Sequence, residues 1–202
     1  GTQPVQGVVG DLQRFGLDAW FGAWLANGIA LGITCVYWLA QPPQWLLSPI
    51  AAIYVGGKTA FVVLLLLGTL EFARGARPRL RTPLAIIAVL AGVSAPWLDS
   101  IPLLGLVQCV VIAMMLGVAL LHCLRSRGQG LGWLGLGFAL RLALAVVEGF
   151  CYGMSHVLPQ ADVPERVRQV LAVHSSFDTG AEWVIALGCV LAYAHRVQQE
   201  LS

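Results

Sequence analysis

Two trios of polar side chains interrupt otherwise apolar sequence. Glu148, Tyr152 and His156 form one, His174, Asp178 and Glu182 the other, and both follow i, i+4, i+8 spacing. On a helix that spacing places each trio on one face. Arg141, seven residues before Glu148, continues the first face. Carboxylates and imidazoles so arranged suit two kinds of chemistry. His156, His174, Asp178 and Glu182 could ligate a divalent metal, as Glu/His sets do in helical bundles. The whole set, Arg141 included, could instead bind a small polar ligand or ion, or change protonation with it, histidine being the side chain that titrates closest to neutrality. None of these groups is expected to face lipid, because a charge at the centre of a spanning helix costs about 2.5–3.5 kcal/mol even on insertion scales.

The elements that must position them follow from composition. Of 202 residues, 58% are hydrophobic and 11% charged, against roughly 25% charged in a soluble domain. Several stretches run for the ~20 apolar residues that cross a bilayer as helix. The expected fold is an all-α integral membrane protein, a single bundle of six transmembrane helices over about 17–40, 48–72, 82–98, 101–124, 130–157 and 167–198. Gln41-Pro-Pro-Gln44 ends the first span, Ser48 and Pro49 open the second, and Asp99-Ser100-Ile101-Pro102 turns the chain and caps the fourth. Spans five and six then form an antiparallel pair. In register, His156 would lie level with His174, Tyr152 with Asp178, and Glu148 with Glu182.

Loop charge sets the orientation. Six spans put Arg14, Arg74, Arg77, Arg79, Arg81, Arg125, Arg127 and Arg196 on one side, leaving Arg166 and Arg168 on the other beside Asp162 and Glu165. Both termini are therefore expected in the cytoplasm, with Trp38, Trp45 and Trp97 near the outer interface. The opening GTQPVQGVVGDLQRF lacks the basic n-region and cleavage site of a signal peptide. A net charge of +2, with no basic run interleaved with aromatics, gives no reason to expect nucleic acid.

Other features carry less chemistry. Cys35, Cys109, Cys123, Cys151 and Cys189 stand singly, with no CxxC pair, and read as buried free thiols. Gly57-Lys58-Thr59 resembles the tail of a phosphate-binding loop, but position 52 is Ala where the motif needs Gly, and no strand precedes it. Lys58 reads instead as a counter-ion for the acids or as a snorkelling residue. Asn27 in span one has no evident partner. His122 and His195 could face one another across the bundle as haem ligands, but both sit at span ends beside Arg125 and Arg196, so haem is not expected.

The stretch FDTGAEWVIALGCVLAYAHRVQQELS opens a span with an acid, places Gly188 mid-helix and leaves the membrane as a polar extension. This resembles the last span of the multi-helix input modules that precede diguanylate cyclase (GGDEF) or histidine-kinase domains in bacterial membrane proteins. FVVLLLLGTLEFARG is similar to another helix of those modules. The resemblance covers about a third of the chain. It implies a sensor of the bacterial inner membrane, homodimeric, that is not itself an enzyme and whose sixth helix feeds a cytoplasmic signalling domain. No GGDEF signature lies in the chain. Two other functions use the same residues: a metal-dependent intramembrane hydrolase with an acid as general base, and a small transporter with its acids as coupling groups.

Overall fold

A computed structural model describes residues 17–74, 81–94, 100–126, 130–159 and 161–202. Among these, every regular element is helical: α1 (Leu17–Ala40), a 3₁₀ turn (Gln44–Leu46), α2 (Leu47–Arg74), α3 (Arg81–Ser94), α4 (Ile101–Arg125), α5 (Gly132–Val157) and α6 (Glu165–Leu201). The punctuation is local. α1 stops at Gln41, whose φ of 43° leaves the helical region, just before Pro42 and Pro43. Ser48 and Pro49 fall inside the first turn of α2, because the 3₁₀ turn leads directly into Leu47. Ser100 caps α4, its Oγ accepting from the Leu103 amide at 3.4 Å, with Pro102 in the first turn where its missing N–H costs nothing.

Five helices are long and apolar enough to cross a membrane: α1, α2, α4, α5 and α6. α3 has 14 residues, which at 1.5 Å per residue gives about 21 Å, short of a ~30 Å hydrocarbon core. The expected third span reached residue 98, but the described helix ends at Ser94. Residues 95–99, with Trp97 and Asp99, lie outside the described residues, as do Arg14, Arg77, Arg79 and Arg127.

Burial runs opposite to that of a soluble domain. Trp38, Leu39, Val89, Phe150 and Trp183 are exposed, while Asn27, Lys58, Arg141, Glu148 and Glu182 are buried. This is the pattern of a multi-pass bundle whose outer surface meets lipid. α2 is central, packing on α1, α3 and α4, and α5 joins α4 to α6. Its Phe61, Val63, Leu65, Leu66 and Leu70 share one core with Leu116, Leu134, Phe138 and Ile185.

The α5–α6 register rests on two glycines. A β-carbon on Gly188 would lie 2.5 Å from Leu134 Cα, and one on Gly137 would lie 2.9 Å from the Ile185 amide nitrogen. The two backbones therefore touch, as small residues permit between membrane helices. Pairing 134 with 188 and 137 with 185 differs from the register expected above. Gly188 and Gly137 each meet a residue two helical turns from the partner expected there, while farther out Tyr152 meets His174, one turn from Asp178.

Candidate functional site: a buried ionic network around α6

α6 brings two acids into the bundle, one turn apart, and each finds a cation on a different helix. Asp178 Oδ2 accepts from Arg141 Nη2 of α5 at 2.7 Å. Glu182 Oε1 accepts from Lys58 Nζ of α2 at 2.7 Å, and its Oε2 accepts from Asn27 Nδ2 of α1 at 2.7 Å. Lys58 is thus a counter-ion, 7% exposed, and not a snorkelling residue; its ammonium also lies 5.9 Å from the Phe61 ring centroid. Glu182 does not face Glu148. It points instead toward α1 and α2.

Arg141 also serves Glu148, but less well: Nη1 lies 3.6 Å from Glu148 Oε1, outside hydrogen-bonding distance. Cys109 of α4 donates its thiol to Glu148 Oε2 at 3.8 Å. Three buried atoms here make no hydrogen bond, Arg141 Nη1, Glu148 Oε1 and Asp178 Oδ1, the first two facing each other as the 3.6 Å ion pair. Such orphans are costly in a low-dielectric interior.

A cavity of about 120 Å³ opens beside these atoms, lined from four helices by both cations, Lys58 and Arg141, and by Tyr54, Gln108, Glu148, Tyr152, His174 and Asp178 among others. Gly105 admits the Tyr152 ring against α4, since a β-carbon there would sit 2.7 Å from that ring. His174 Nδ1 bonds the Leu171 carbonyl and so carries a proton. In the neutral ring Nε2 is then an acceptor, placed 3.4 Å from the Tyr152 hydroxyl.

Of the expected site residues, Arg141, Glu148, Tyr152, His174 and Asp178 converge on this cavity. Glu182 sits immediately behind it, joined through Lys58. His156 does not converge: it is exposed in the last turn of α5. Among the described residues no three His, Cys, Asp or Glu side chains group closely enough to hold a metal ion. His156, His174, Asp178 and Glu182 therefore supply no ligand set here, because the register separates the histidines and cations already hold the two acids. All five cysteines are free, four of them buried, while Cys35 is exposed on α1.

Sequence reasoning passed over Asn27, Cys109, Tyr54 and Gln108. A lone amide in the middle of an apolar span was a usable signal for Asn27, since polar groups at that depth find partners. Nothing in the spacing marked Tyr54 or Cys109. On the far side of Glu182, α1 and α6 enclose a larger apolar groove of about 550 Å³, lined by Trp20, Trp24, Asn27, Glu182 and Trp183 among others.

No protein-family model, curated protein or solved structure matches this chain.

Proposed function

We propose that the chain is a membrane-embedded input module of the bacterial inner membrane. A small ligand or ion enters the polar cavity and changes how α6 packs, and α6 carries that change to a cytoplasmic output domain. A diguanylate cyclase is the output that the likeness of the last span favours. The observation that carries this reading is α6 itself. Its 37 residues span about 55 Å at helical rise, well beyond a ~30 Å core. Its acids are tied to α1, α2 and α5, and beyond them it continues as unbroken helix to Leu201. A ligand that prefers one arrangement of these pairs biases the position of α6, and differential affinity is what a switch requires.

Six crossings with both termini in the cytoplasm fit this reading. Tyr54, near the start of α2, and Ile101, at the start of α4, line the same cavity. The chain between Arg74 and Ser100 must therefore return across the bundle. α3 runs along that path, and a β-carbon on its Gly92 would lie 3.2 Å from the Ala52 carbonyl near the start of α2. Arg74, Arg81, Arg125 and Arg196 then collect at the opposite end, the arrangement that the positive-inside rule assigns to the cytoplasm.

The test joins the chain after Ser202 to a diguanylate cyclase reporter and measures cyclic dinucleotide in cells. The combined Asp178→Asn and Glu182→Gln change, at equal membrane protein levels, is expected to alter output by about fivefold or more, the lower range of allosteric coupling. Unchanged output would sink the reading.

A further inference from the structure

Glu148 of α5 and Asp178 of α6 meet across the helix pair, and their side chains are in hydrogen-bonding contact with each other. Both lie against one guanidinium. Arg141 Nη2 bonds Asp178 Oδ2 at 2.7 Å, and its Nη1 lies 3.6 Å from Glu148 Oε1. The second oxygen of Glu148, Oε2, accepts from the Cys109 thiol. Counted as carboxylates, the pair therefore leaves one oxygen each without a donor, Glu148 Oε1 and Asp178 Oδ1, and both atoms are buried. Two carboxylates have no hydrogen to place between them, and like charges in such contact do not both ionise in a buried site. One proton accounts for the contact and for both open oxygens, since a protonated carboxyl donates and its neighbour accepts.

We infer that Glu148 and Asp178 form a proton-binding site, a carboxyl–carboxylate pair that shares one proton between α5 and α6. The inference rests on the reading of the polar cavity as the input site and names the proton as its ion. The proton belongs to the pair and not to either residue alone. The cavity gives it a route. At about 120 Å³ it has room for a few water molecules of ~30 Å³ each. Its wall includes Ile101, which is 80% exposed at the start of α4. On release the proton passes to water there, and two carboxylates are left facing each other on one guanidinium. Their repulsion acts between α5 and α6, so proton loss favours a packing in which Asp178 stands away from Glu148. Besides Arg141 and Cys109, the ionisable groups that face the pair are Tyr54 and Lys58 from α2, Tyr152 from α5 and His174 from α6, with Glu182 behind Lys58. His174 is the one of these whose ordinary titration lies closest to neutrality, so the test must separate it from the carboxyls.

The experiment places the whole chain in lipid nanodiscs and records infrared difference spectra as the pH is raised from acid to alkaline. A protonated carboxyl has a C=O stretch distinct from those of carboxylates and amides, and deuterium oxide shifts it. The parent should lose one such band, reversibly. Glu148→Gln should abolish the band, because the amide can donate to Asp178 and leaves that acid charged beside Arg141. Asp178→Asn should abolish it from the other helix, and it carries the test if the first variant fails to fold. His174→Gln should keep both the band and its loss at alkaline pH. The inference is overturned if the parent shows no titrating carboxyl band, if the band survives in either folded acid variant, or if His174→Gln removes the titration. A band that titrates while reporter output ignores external pH would refute the signalling reading and leave the proton site standing. Output that follows pH with no such band would do the reverse.

Discussion

The two acids of α6 lie one turn apart yet have different surroundings. Glu182 is closed: Lys58 and Asn27 each take one of its oxygens at 2.7 Å, and it is 3% exposed. Asp178 is more open: one oxygen accepts from Arg141, the other accepts no hydrogen bond from a neighbouring donor, and its side chain is 13% exposed at the cavity. Closed polar contacts tie helices together, whereas incomplete ones leave chemistry available. The contrast is between an acid that ties three helices together and one that, with Glu148, lines the polar cavity.

The largest expected effect breaks the closed side. Glu182→Leu strands the Lys58 ammonium in a dry interior, and unpairing a buried ion typically destabilises by about 3–5 kcal/mol. Replacing both partners, with Lys58→Met alongside Glu182→Leu, should recover most of that loss, because hydrophobic replacements of a buried pair are often neutral. Reversible unfolding in mixed micelles measures both. If the double variant is as unstable as the single one, Glu182 holds more than its ion pair.

A middle-sized effect acts on the register that separates the two acids. Gly188→Ala puts a methyl 2.5 Å from Leu134 Cα, which α5 and α6 can relieve only by moving apart. Overpacking of this kind costs about 1–3 kcal/mol. Because the shift would also pull Arg141 from Asp178, Gly188→Ala and Asp178→Asn should be non-additive in the same unfolding measurement. Strict additivity would mean that the glycine contact does not set the Arg141–Asp178 pairing.

The register is also where the sequence was least legible. The apolar segments gave α1 at Leu17–Ala40 and brought α2, α4, α5 and α6 close to their ends, because prolines, Ser100 and run length are local signals. The i, i+4 stripes grouped Arg141, Glu148, Tyr152, His174 and Asp178, and these five line one cavity. Their facing partners were off by one to two turns, since a stripe fixes a helix face but not the slide of one helix along another. That slide depends on Gly137 and Gly188, whose lack of side chains produces no polar or hydrophobic pattern to read. The same offset freed Glu182 for Lys58 and Asn27, and it left His156 outside the site. α3 is the remaining difference: its apolar run suggested a full span, while the described helix stops at Ser94.

The smallest effect belongs to the open side. Asp178→Asn removes a charge but keeps an amide oxygen that can still accept from Arg141, and Arg141 retains Glu148 as counter-ion. It also removes one of two carboxyls crowded on a single guanidinium. Side-chain hydrogen bonds between membrane helices average about 0.6 kcal/mol, so the unfolding free energy should change by no more than about that amount. Glu182→Leu, one turn away on the same helix, should cost several times as much. Comparable losses from the two variants would remove the distinction between the acid that ties the helices and the acid at the cavity, whereas a near-silent Asp178→Asn would sharpen it.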